Sequence, residues 1–283
     1  MLSILIPVYN CHITPLAKEL YRQVLDCGIN FEILVYDDAS THNVANNKTI
    51  NQFKNTTFKI LPENIGRSAI RNLLALNAKH EWLLFLDADT FPVNKDFIRQ
   101  YLSNLNYNIV VGGIAVSKKP KKKACKLRWL FTKKRETKEN SSANFIIKKS
   151  VFKTFPFDES IKKYGYEDVL FFNTLKKNKE YVHNIENQVY HNTEEGADSF
   201  LKKTETAIEN LLYLQKNNKI ENEWSKILQY YYKLEALKLT QFTAYLFLAL
   251  KSLLVKNLNS SNPSLLLFDF YRLGYFCLIK KSP

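Results

Sequence analysis

The chain lacks the features that define several common protein classes. Its four cysteines lie far apart without Cys-x-x-Cys spacing, which argues against a zinc ribbon or a disulfide scaffold and fits a reducing compartment. Glycine occurs only 7 times in 283 residues and 24% of residues are charged, which excludes collagen-like repeats and wholesale disorder. The first residues, MLSILIPVYN, contain no basic leader, so we expect no signal peptide.

No apolar run reaches the roughly 20 residues of a membrane-spanning helix. The most apolar stretch, residues 242–255, contains Lys251, and the next, residues 264–279, contains Asp269 and Arg272. We therefore expect a cytoplasmic protein. A peripheral position at the inner face of the membrane is a further hypothesis, because lysines flank these stretches and apolar helices with flanking lysines bind anionic lipid surfaces.

Acidic residues are few beside the basic ones, and the formal net charge is +14. Much of the excess lies in residues 118–138, which contain eleven Lys or Arg and one Glu. Such a segment suits an anionic membrane, nucleic acid or a phosphorylated substrate, or it is only a solvated loop. No nucleic-acid-binding motif is present, so we expect no nucleic-acid partner. We interpret residues 117–141 as a basic loop without helical periodicity.

Short apolar runs alternate with helical patterns in the first half of the chain. The runs predict strands at residues 3–9, 32–36, 57–61, 82–86 and 109–113. The patterns between them predict helices at about residues 14–27, 66–79 and 94–105, the first with Thr14 as its cap. This alternation is typical of βαβ units and predicts an α/β fold, with a mainly parallel sheet between helices. Ligands bind such sheets at the carboxyl ends of the strands.

The second half of the chain has a different character. It predicts strands at residues 143–147 and 181–185, with a helix that starts near Gly165 between them. Beyond residue 197 the pattern is helical, and residues 222–256 form a long helix or a helix pair. We therefore predict one domain over residues 1–197 and a C-terminal helical extension over residues 198–283. The extension packs on the sheet, forms a homodimer or lies on a membrane, and the sequence leaves these alternatives open.

The sharpest chemical signal is Asp87-Ala88-Asp89, which follows a wholly apolar strand. At this spacing one carboxylate can bind a hard divalent cation, Mn²⁺ or Mg²⁺, while the other orients water or a ribose hydroxyl. The cation would bridge to the diphosphate of a substrate. The alternative is a solvated turn after a strand.

Four other clusters have a structural and a functional interpretation each. Asp37-Asp38 is more typical of an Asx-type turn than of a binding site. The segment from Asn64 to Arg71 opens a helix with two arginines and suits phosphate, or is a capped helix with surface arginines. Glu167-Asp168 at a helix start favours the helix dipole or supplies a general base. His191 is a metal ligand or a core histidine.

In combination these segments resemble the inverting family 2 glycosyltransferases of the GT-A fold. Seven segments occur in the order of that family over residues 1–197: SILIPVYN, YDDAS, ENIGRSAIRN, LFLDADT, ANFIIKKSVF, GYEDVLFF and VYHN. The resemblance implies a donor site made of Pro7, Val8, Tyr9, Asp38, Asn64, Arg71, Asp87 and Ala88. Within it, Asp38 would accept the N–H of a uracil-like base, Arg71 would face the nucleotide and Asp87 would contact the ribose or a water on the metal.

The resemblance also implies the catalytic and metal-binding residues. Asp89 would bind the metal directly and His191 would complete the site. Asp168 would be the catalytic base, with Glu167 beside it for the acceptor. Base-assisted attack in line with a departing nucleotide diphosphate inverts the anomeric centre without a covalent intermediate. Processive members carry a QxxRW motif after the acidic pair, whereas the segment Cys125–Trp129 lacks the Gln and precedes the pair, so we expect one sugar per encounter.

The expected partners are a nucleotide-sugar donor, of the UDP type, and a glycan or lipid-linked glycan acceptor of the bacterial surface kind. Two other classes stay open. A nucleotidyltransferase that makes a sugar nucleotide usually has a Gly-rich loop after its first strand, and PVYNCHITP contains no Gly. A non-enzymatic polyanion-binding protein would be built around residues 118–138.

Overall fold

The computed structural model describes residues 1–42, 44–191 and 194–281. It forms two compact units. The sheet unit contains Met1–Val116, Glu136–Lys162 and the described residues from Glu167 to His191. The helical unit contains Ser117–Arg135, Lys163–Tyr166 and the described residues from Glu194 onward. The predicted division of the chain between residues 197 and 198 stays a prediction.

The described residues contain ten strands, which were located mostly where apolar runs predict them. In chain order the strands are β1 (Leu2–Val8), β2 (Phe31–Asp37), β3 (Thr56–Ile60), β4 (Trp82–Leu86), β5 (Thr90–Pro92), β6 (Ile109–Val111), β7 (Ile114–Ala115), β8 (Asn144–Lys148), β9 (His183–Asn184) and β10 (Val189–His191).

Eleven α-helices accompany these strands in the described part of the chain. In chain order they are α1 (Thr14–Asp26), α2 (Val44–Asn47), α3 (Arg67–Asn77), α4 (Phe97–Leu102), α5 (Lys126–Lys134), α6 (Lys149–Thr154), α7 (Glu167–Lys177), α8 (Ala197–Lys216), α9 (Lys226–Ala236), α10 (Thr240–Leu258) and α11 (Leu265–Lys281).

The main sheet has seven strands in the order β3-β2-β1-β4-β8-β6-β9. The four strands from β3 to β4 are parallel neighbours, and β6 is parallel to β9. Only β8 runs antiparallel to both of its neighbours, β4 and β6. Helices lie on both faces of this sheet, and a helical part ends the chain, which confirms the predicted fold class.

Strand β1 shows how the two faces are covered. Its side chains alternate, so that Ile4 and Ile6 pack in one apolar cluster and Leu5 packs in another. The first cluster includes residues of α1 and α4, and the second includes residues of α3 and α7. Because both faces are buried, the central strands read as continuous apolar runs. Strand β4 therefore has the predicted bounds, residues 82–86.

A second sheet of three short strands, in the order β5-β10-β7, was not predicted. The side-chain amide of Asn144 holds the segments that lead into two of its strands. The Asn144 Nδ2 group donates to the carbonyl oxygens of Gly113 and Asn187, each at 2.9 Å, and the Tyr101 hydroxyl donates to Asn144 Oδ1 at 2.6 Å. Gly113 immediately precedes β7 and Asn187 lies just before β10. One side chain of β8 therefore connects two of the three strands of the small sheet, β7 and β10, to the main sheet.

Two predictions about local structure were wrong. Thr14 is the first residue of α1 and not its cap, since Ile13 holds the cap position and the Thr14 hydroxyl donates to the Asn46 carbonyl at 3.2 Å. The basic run is not a loop throughout, because it contains α5. There Leu127 is buried in an apolar cluster against which Phe131 packs, and this i, i+4 pair gives the lysine-rich segment a helical face.

In the helical unit, residues 222–256 form the predicted helix pair, α9 and α10, after a short 3₁₀ turn. Helix α10 packs on α11 and α8 supplies further core residues, with Phe200, Phe247 and Phe268 in one buried cluster. Among the helices that the structure describes, none is both long and apolar enough to cross a membrane.

Candidate active site

The carboxyl ends of β1, β2 and β4 form one edge of the main sheet. The register fixes this, because Val8 pairs with Asp37 and Leu5 pairs with Phe85 in parallel neighbours. The segments that follow these strands carry most of the polar residues selected from the sequence. The predicted edge is therefore where the fold gathers them.

The predicted base-binding residue, Asp38, is buried and holds the loop before α3. Its Oδ1 accepts the Ile65 N–H at 2.7 Å and its Oδ2 accepts the Gly66 N–H at 3.0 Å. The Asn64 amide closes the same loop by donating to the Asp38 carbonyl at 3.1 Å. Burial raises the pKa of Asp38, although the two backbone N–H groups oppose that shift. Each oxygen keeps a further lone pair for a donor.

The preceding residue, Asp37, holds the loop after β2 through its side chain. Its Oδ1 accepts the Ser40 N–H at 2.6 Å. At the end of β1, Asn10 takes a positive φ of 52° and its N–H donates to Ser40 Oγ at 2.7 Å, so the two strand ends are joined. Beside it Tyr9 is 56% exposed, whereas Val8 is buried.

Four charged residues, which we name the arginine cluster, lie between β4 and α7: Arg67, Arg71, Asp87 and Glu167. Asp87 accepts from both arginines, with Arg67 Nη2 3.1 Å from its Oδ2 and Arg71 Nη2 against its Oδ1. Arg67 also reaches α7, since its Nε lies 2.9 Å from Glu167 Oε1. Arg67 thus joins the end of β4 to the first turn of α7.

Arg71 is buried to an unusual degree for a charged side chain, with 1% of it exposed. Its guanidinium carbon lies 5.5 Å from the centre of the Phe157 ring, and its Nη1 donates to the Arg67 carbonyl at 3.1 Å. The alternative of two surface arginines is therefore wrong for Arg71. Its predicted contact with the nucleotide stays a prediction.

Asp89 belongs to a second group, the Asp89–His191 pair. The Asp89 Oδ2 atom lies 3.2 Å from His191 Nε2, and the other ring nitrogen, Nδ1, lies 3.7 Å from Glu136 Oε2. His191 is brought there by the small sheet, in which it pairs with Thr90 across β10 and β5. No group of three or more His, Cys, Asp or Glu residues arranged to hold a metal occurs among the described residues. The last residue of the VYHN segment, Asn192, lies outside them.

Ala88, between the two aspartates, is fixed through its backbone. Its carbonyl oxygen accepts from Cys11 Sγ at 3.3 Å. Burial raises the pKa of the Cys11 thiol to about 11, and the negative charge of Asp89 adds to that shift. Cys11 therefore stays a protonated donor at neutral pH and links the loop after β1 to the turn after β4.

Asp168 is the second residue of α7, directly after Glu167, and its side chain is partly buried. Loss of solvation and the nearby negative charge of Glu167 together raise the pKa of Asp168 to about 7, although the positive charges of Arg67 and Arg71 oppose that shift. A carboxylate with a pKa near the working pH combines a deprotonated population with sufficient basicity, as a general base requires.

Sequence reasoning did not assign a role to Arg67 or Glu136. Arg67 and Arg71 are four residues apart, and this spacing on a helix already indicated that both face one side. Nothing in the sequence pointed to Glu136, because it stands at the end of the basic run and meets His191 only through the fold.

The chain belongs to glycosyl transferase family 2, whose model matches residues 3–163. Two glycosyltransferases of Haemophilus influenzae, both uncharacterised, are similar over shorter segments. One is 29% identical over 115 residues, 39% of this chain and 45% of the relative, and the other is 34% identical over 95 residues, 31% of this chain and 29% of the relative. The matches thus span less than half the length of each curated relative.

Solved structures share the fold. A mannosyltransferase from Pyrobaculum calidifontis, in complex with GDP-Man and Mn²⁺, aligns over 98% of this chain and 84% of its own, with a TM-score of 0.58 and 12% identity. TarS of S. aureus, residues 1–349 in complex with UDP-GlcNAc, aligns over 75% of this chain and 66% of its own, with a TM-score of 0.51 and 20% identity. Membership of this family favours a glycosyltransferase over the two other classes that the sequence left open.

Proposed function

We propose that this chain transfers a single sugar from a nucleotide-diphosphate sugar to a glycan or lipid-linked glycan, with inversion and with the help of Mn²⁺ or Mg²⁺. The observation that carries the proposal is the arginine cluster, which places the acidic start of α7 beside the acidic end of β4. A donor-binding edge and a general base would thereby be held next to each other. TarS, which has the same fold, was solved with UDP and UDP-GlcNAc, and this supports a UDP-sugar donor.

Two neighbouring side chains offer donor atoms for a divalent cation. Asp89 and His191 offer a carboxylate oxygen and an imidazole nitrogen 3.2 Å apart, a set that Mn²⁺ accepts. The Asp89 side chain is 45% exposed, so the diphosphate of a donor can reach it. These residues fit a divalent cation held by two protein side chains and the substrate. When bound, the cation would neutralise charge on the departing diphosphate.

The protein's own residues would divide the remaining work. Asp38 and Asn64 order the loop beside the end of β1, where the exposed Tyr9 ring offers a surface for the base. Asp87 is fixed by two arginines, so its carboxylate is already oriented when a ribose arrives. Preorganised groups of this kind favour the transition state because they need not move during the reaction.

The choice of Asp168 over Glu167 as the base rests on their different partners. Glu167 is held in an ion pair with Arg67, whose Nε lies 2.9 Å from Glu167 Oε1, so this carboxylate already has a partner. Asp168 has a raised pKa and stands one residue further along the same helix turn. Asp168 would remove the proton of the acceptor hydroxyl as that oxygen attacks the anomeric carbon, and the nucleotide diphosphate would leave on the opposite side.

A thermal-shift screen of nucleotide diphosphates and nucleotide sugars, each with and without Mn²⁺, tests the donor. A ligand at 100 times its dissociation constant stabilises the native state by about 2.7 kcal/mol, which is readily seen as a rise in melting temperature. The anomeric configuration of the product, read by nuclear magnetic resonance, tests inversion. A retained configuration, or stabilisation by no nucleotide, would refute the proposal.

The acceptor, the cytoplasmic location and the oligomeric state belong to the same proposal. An acceptor carried on a polyprenyl phosphate would place the enzyme at the inner face of the membrane. A homodimer through the C-terminal helices is the alternative arrangement, and size-exclusion chromatography with light scattering distinguishes a monomer from a dimer.

A further inference from the structure

Helix α10 is apolar on its exposed side as well as on its buried side. Phe247, Leu254 and Leu258 are buried in the core of the helical unit. On the opposite side Phe242 is 60% exposed, and Tyr245 is 71% exposed. An amphipathic helix of a globular protein usually presents charged or polar residues on that side.

The exposed side chains form one continuous surface. Residues 242, 245, 249 and 253 follow the i, i+3, i+4 spacing of a single helix face, and Leu248 lies at its border. We name this surface, with Leu237 and Leu239 of the preceding turn, the α10 face. All of its large apolar members are more than 40% exposed. Contiguous apolar patches of this kind mark interaction sites.

Along the chain, the segment that carries the α10 face has charges of one sign. Between Glu235 and Asp269 the sequence contains no acidic residue, whereas it contains Lys238, Lys251 and Lys256. Lys238 precedes the helix and Lys256 is exposed in its last turn, so a lysine stands near each end of the apolar face. Lys251 is paired with Glu205 at 3.1 Å and does not contribute a free charge.

We propose that the α10 face binds the surface of an anionic lipid bilayer, with the helix lying in the plane of the interface. The aromatic rings of Phe242 and Tyr245 suit the boundary between headgroups and acyl chains, where amphipathic rings are enriched. Lysines at both ends extend their ammonium groups to anionic headgroups while their stems cover apolar surface. Each lysine near an anionic leaflet adds about 1 kcal/mol of binding energy.

The charge pattern favours this occupant over a second copy of the chain. In a two-fold symmetric contact across α10, an antiparallel pair would bring the Lys238 end of one helix to the Lys256 end of the other. Like charges that meet across an interface oppose association. An anionic bilayer, in contrast, complements both lysines at once.

The inference does not depend on sugar transfer, so it is tested by binding alone. Wild-type protein is sedimented with vesicles of phosphatidylcholine, with or without phosphatidylglycerol. A triple variant, Phe242→Gln, Tyr245→Gln and Leu253→Gln, removes apolar surface from exposed positions and leaves the core intact. We expect its partition coefficient on anionic vesicles to fall by about tenfold or more, since three side chains would no longer bury apolar surface in the bilayer.

A matched control removes equally exposed apolar side chains from the sheet unit. Leu76 is 73% exposed and Tyr181 is 66% exposed, so Leu76→Gln with Tyr181→Gln should leave vesicle binding unchanged. Circular dichroism checks that every variant keeps its helices. Replacing Lys238 and Lys256 with Gln should lower binding by about fivefold for each lysine and weaken its salt dependence.

Three results would overturn the proposal. Equal loss in the triple variant and in the control would show that exposed apolar residues act without regard to position. Binding to neither type of vesicle would remove the lipid surface as the occupant. A concentration-dependent dimer in wild type that the triple variant abolishes, without vesicle binding, would assign the α10 face to a second copy of the chain.

Discussion

Asp87 and Asp89 are separated by one residue, yet they belong to two different regions of the site. The Asp87 side chain is 12% exposed and paired with two arginines, whereas the Asp89 side chain is 45% exposed and lies beside a histidine. In the arginine cluster the opposite charges are paired, and these pairs hold the end of β4 against the first turn of α7. In the Asp89–His191 pair, the aspartate is the more exposed member, with His191 only 16% exposed. The two carboxylates of one motif thus differ in burial and in partners. Each can be replaced separately by mutation.

The largest effect on transfer is expected from Asp89→Ala. Loss of the cation that this residue would hold removes several kcal/mol of transition-state stabilisation, or about 10³-fold in rate. Stability should change little, because the side chain is half exposed. Rates with a nucleotide sugar and Mn²⁺, together with urea unfolding, measure both effects. The exposed Asp26→Ala serves as the control, and wild-type turnover by the Asp89 variant would refute the assignment.

The arginine cluster should respond in the opposite way. Arg71→Gln leaves part of the Asp87 charge buried without its partner, and we expect a loss of about 3 kcal/mol in the free energy of unfolding. Arg22→Gln removes an arginine from exposed pairs with Glu19 and Asp26, which solvent screens, and should lower the free energy of unfolding far less. Chemical denaturation compares the two. Equal losses in the free energy of unfolding would mean that the arginine cluster stabilises the fold no more than an exposed ion pair does.

Asp168→Asn should retain donor affinity and lower transfer by about 10² or more, because the general base is removed while the shape is preserved. Isothermal titration with the nucleotide diphosphate and initial-rate measurements separate binding from chemistry. If Glu167→Gln lost as much transfer and Asp168→Asn lost none, the base would be Glu167 and the arginine cluster would be catalytic.

The pH dependence gives the smallest but most specific effect. Because the pKa of Asp168 is raised to about 7, transfer should increase as pH rises through that value. Arg67→Gln removes a positive charge that favours the carboxylate, so the midpoint of the profile should move to higher pH, while Arg67→Lys should restore part of it. A midpoint that is the same in all three proteins would separate Arg67 from the base.

The same pKa predicts a stability difference with a definite sign. A raised native pKa means that the folded state favours protonated Asp168, so this contribution is fully present below the ordinary carboxyl range and is lost as pH rises through about 7. Asp168→Asn cannot ionise and should therefore gain stability relative to wild type as pH rises from about 4 to about 7, and the difference should stay constant above that range. Melting temperatures over a pH series measure the difference.

The central strands were predictable because each is an apolar run with both faces buried. The bounds of β4 agree to the residue, and those of β1 and β2 agree within one residue. The edge at which the acidic residues gather follows from the parallel order alone. The small sheet was not predictable, because strands of two or three residues have no measurable periodicity and form through pairing with distant segments.

The chemistry of the site was predictable by residue type and only partly by partner. Asp87, Arg71 and Glu167 were selected from the sequence as separate groups, and the structure joins them through Arg67. Partners of this kind depend on where β4 and α7 come together, which no local pattern encodes. The pKa of Asp168 likewise depends on burial, which neighbouring residues in the sequence do not determine.

The buried amide of Asn144 limits how far the small sheet can separate from the main sheet. Because it bonds the segments before β7 and β10 at once, the strand that carries His191 cannot detach without breaking buried hydrogen bonds of the main sheet. Amide hydrogens of β10 should therefore exchange with deuterium as slowly as those of β8, although an isolated three-residue strand would exchange quickly. His191 would then keep its position during local opening of the fold and lose it only in global unfolding.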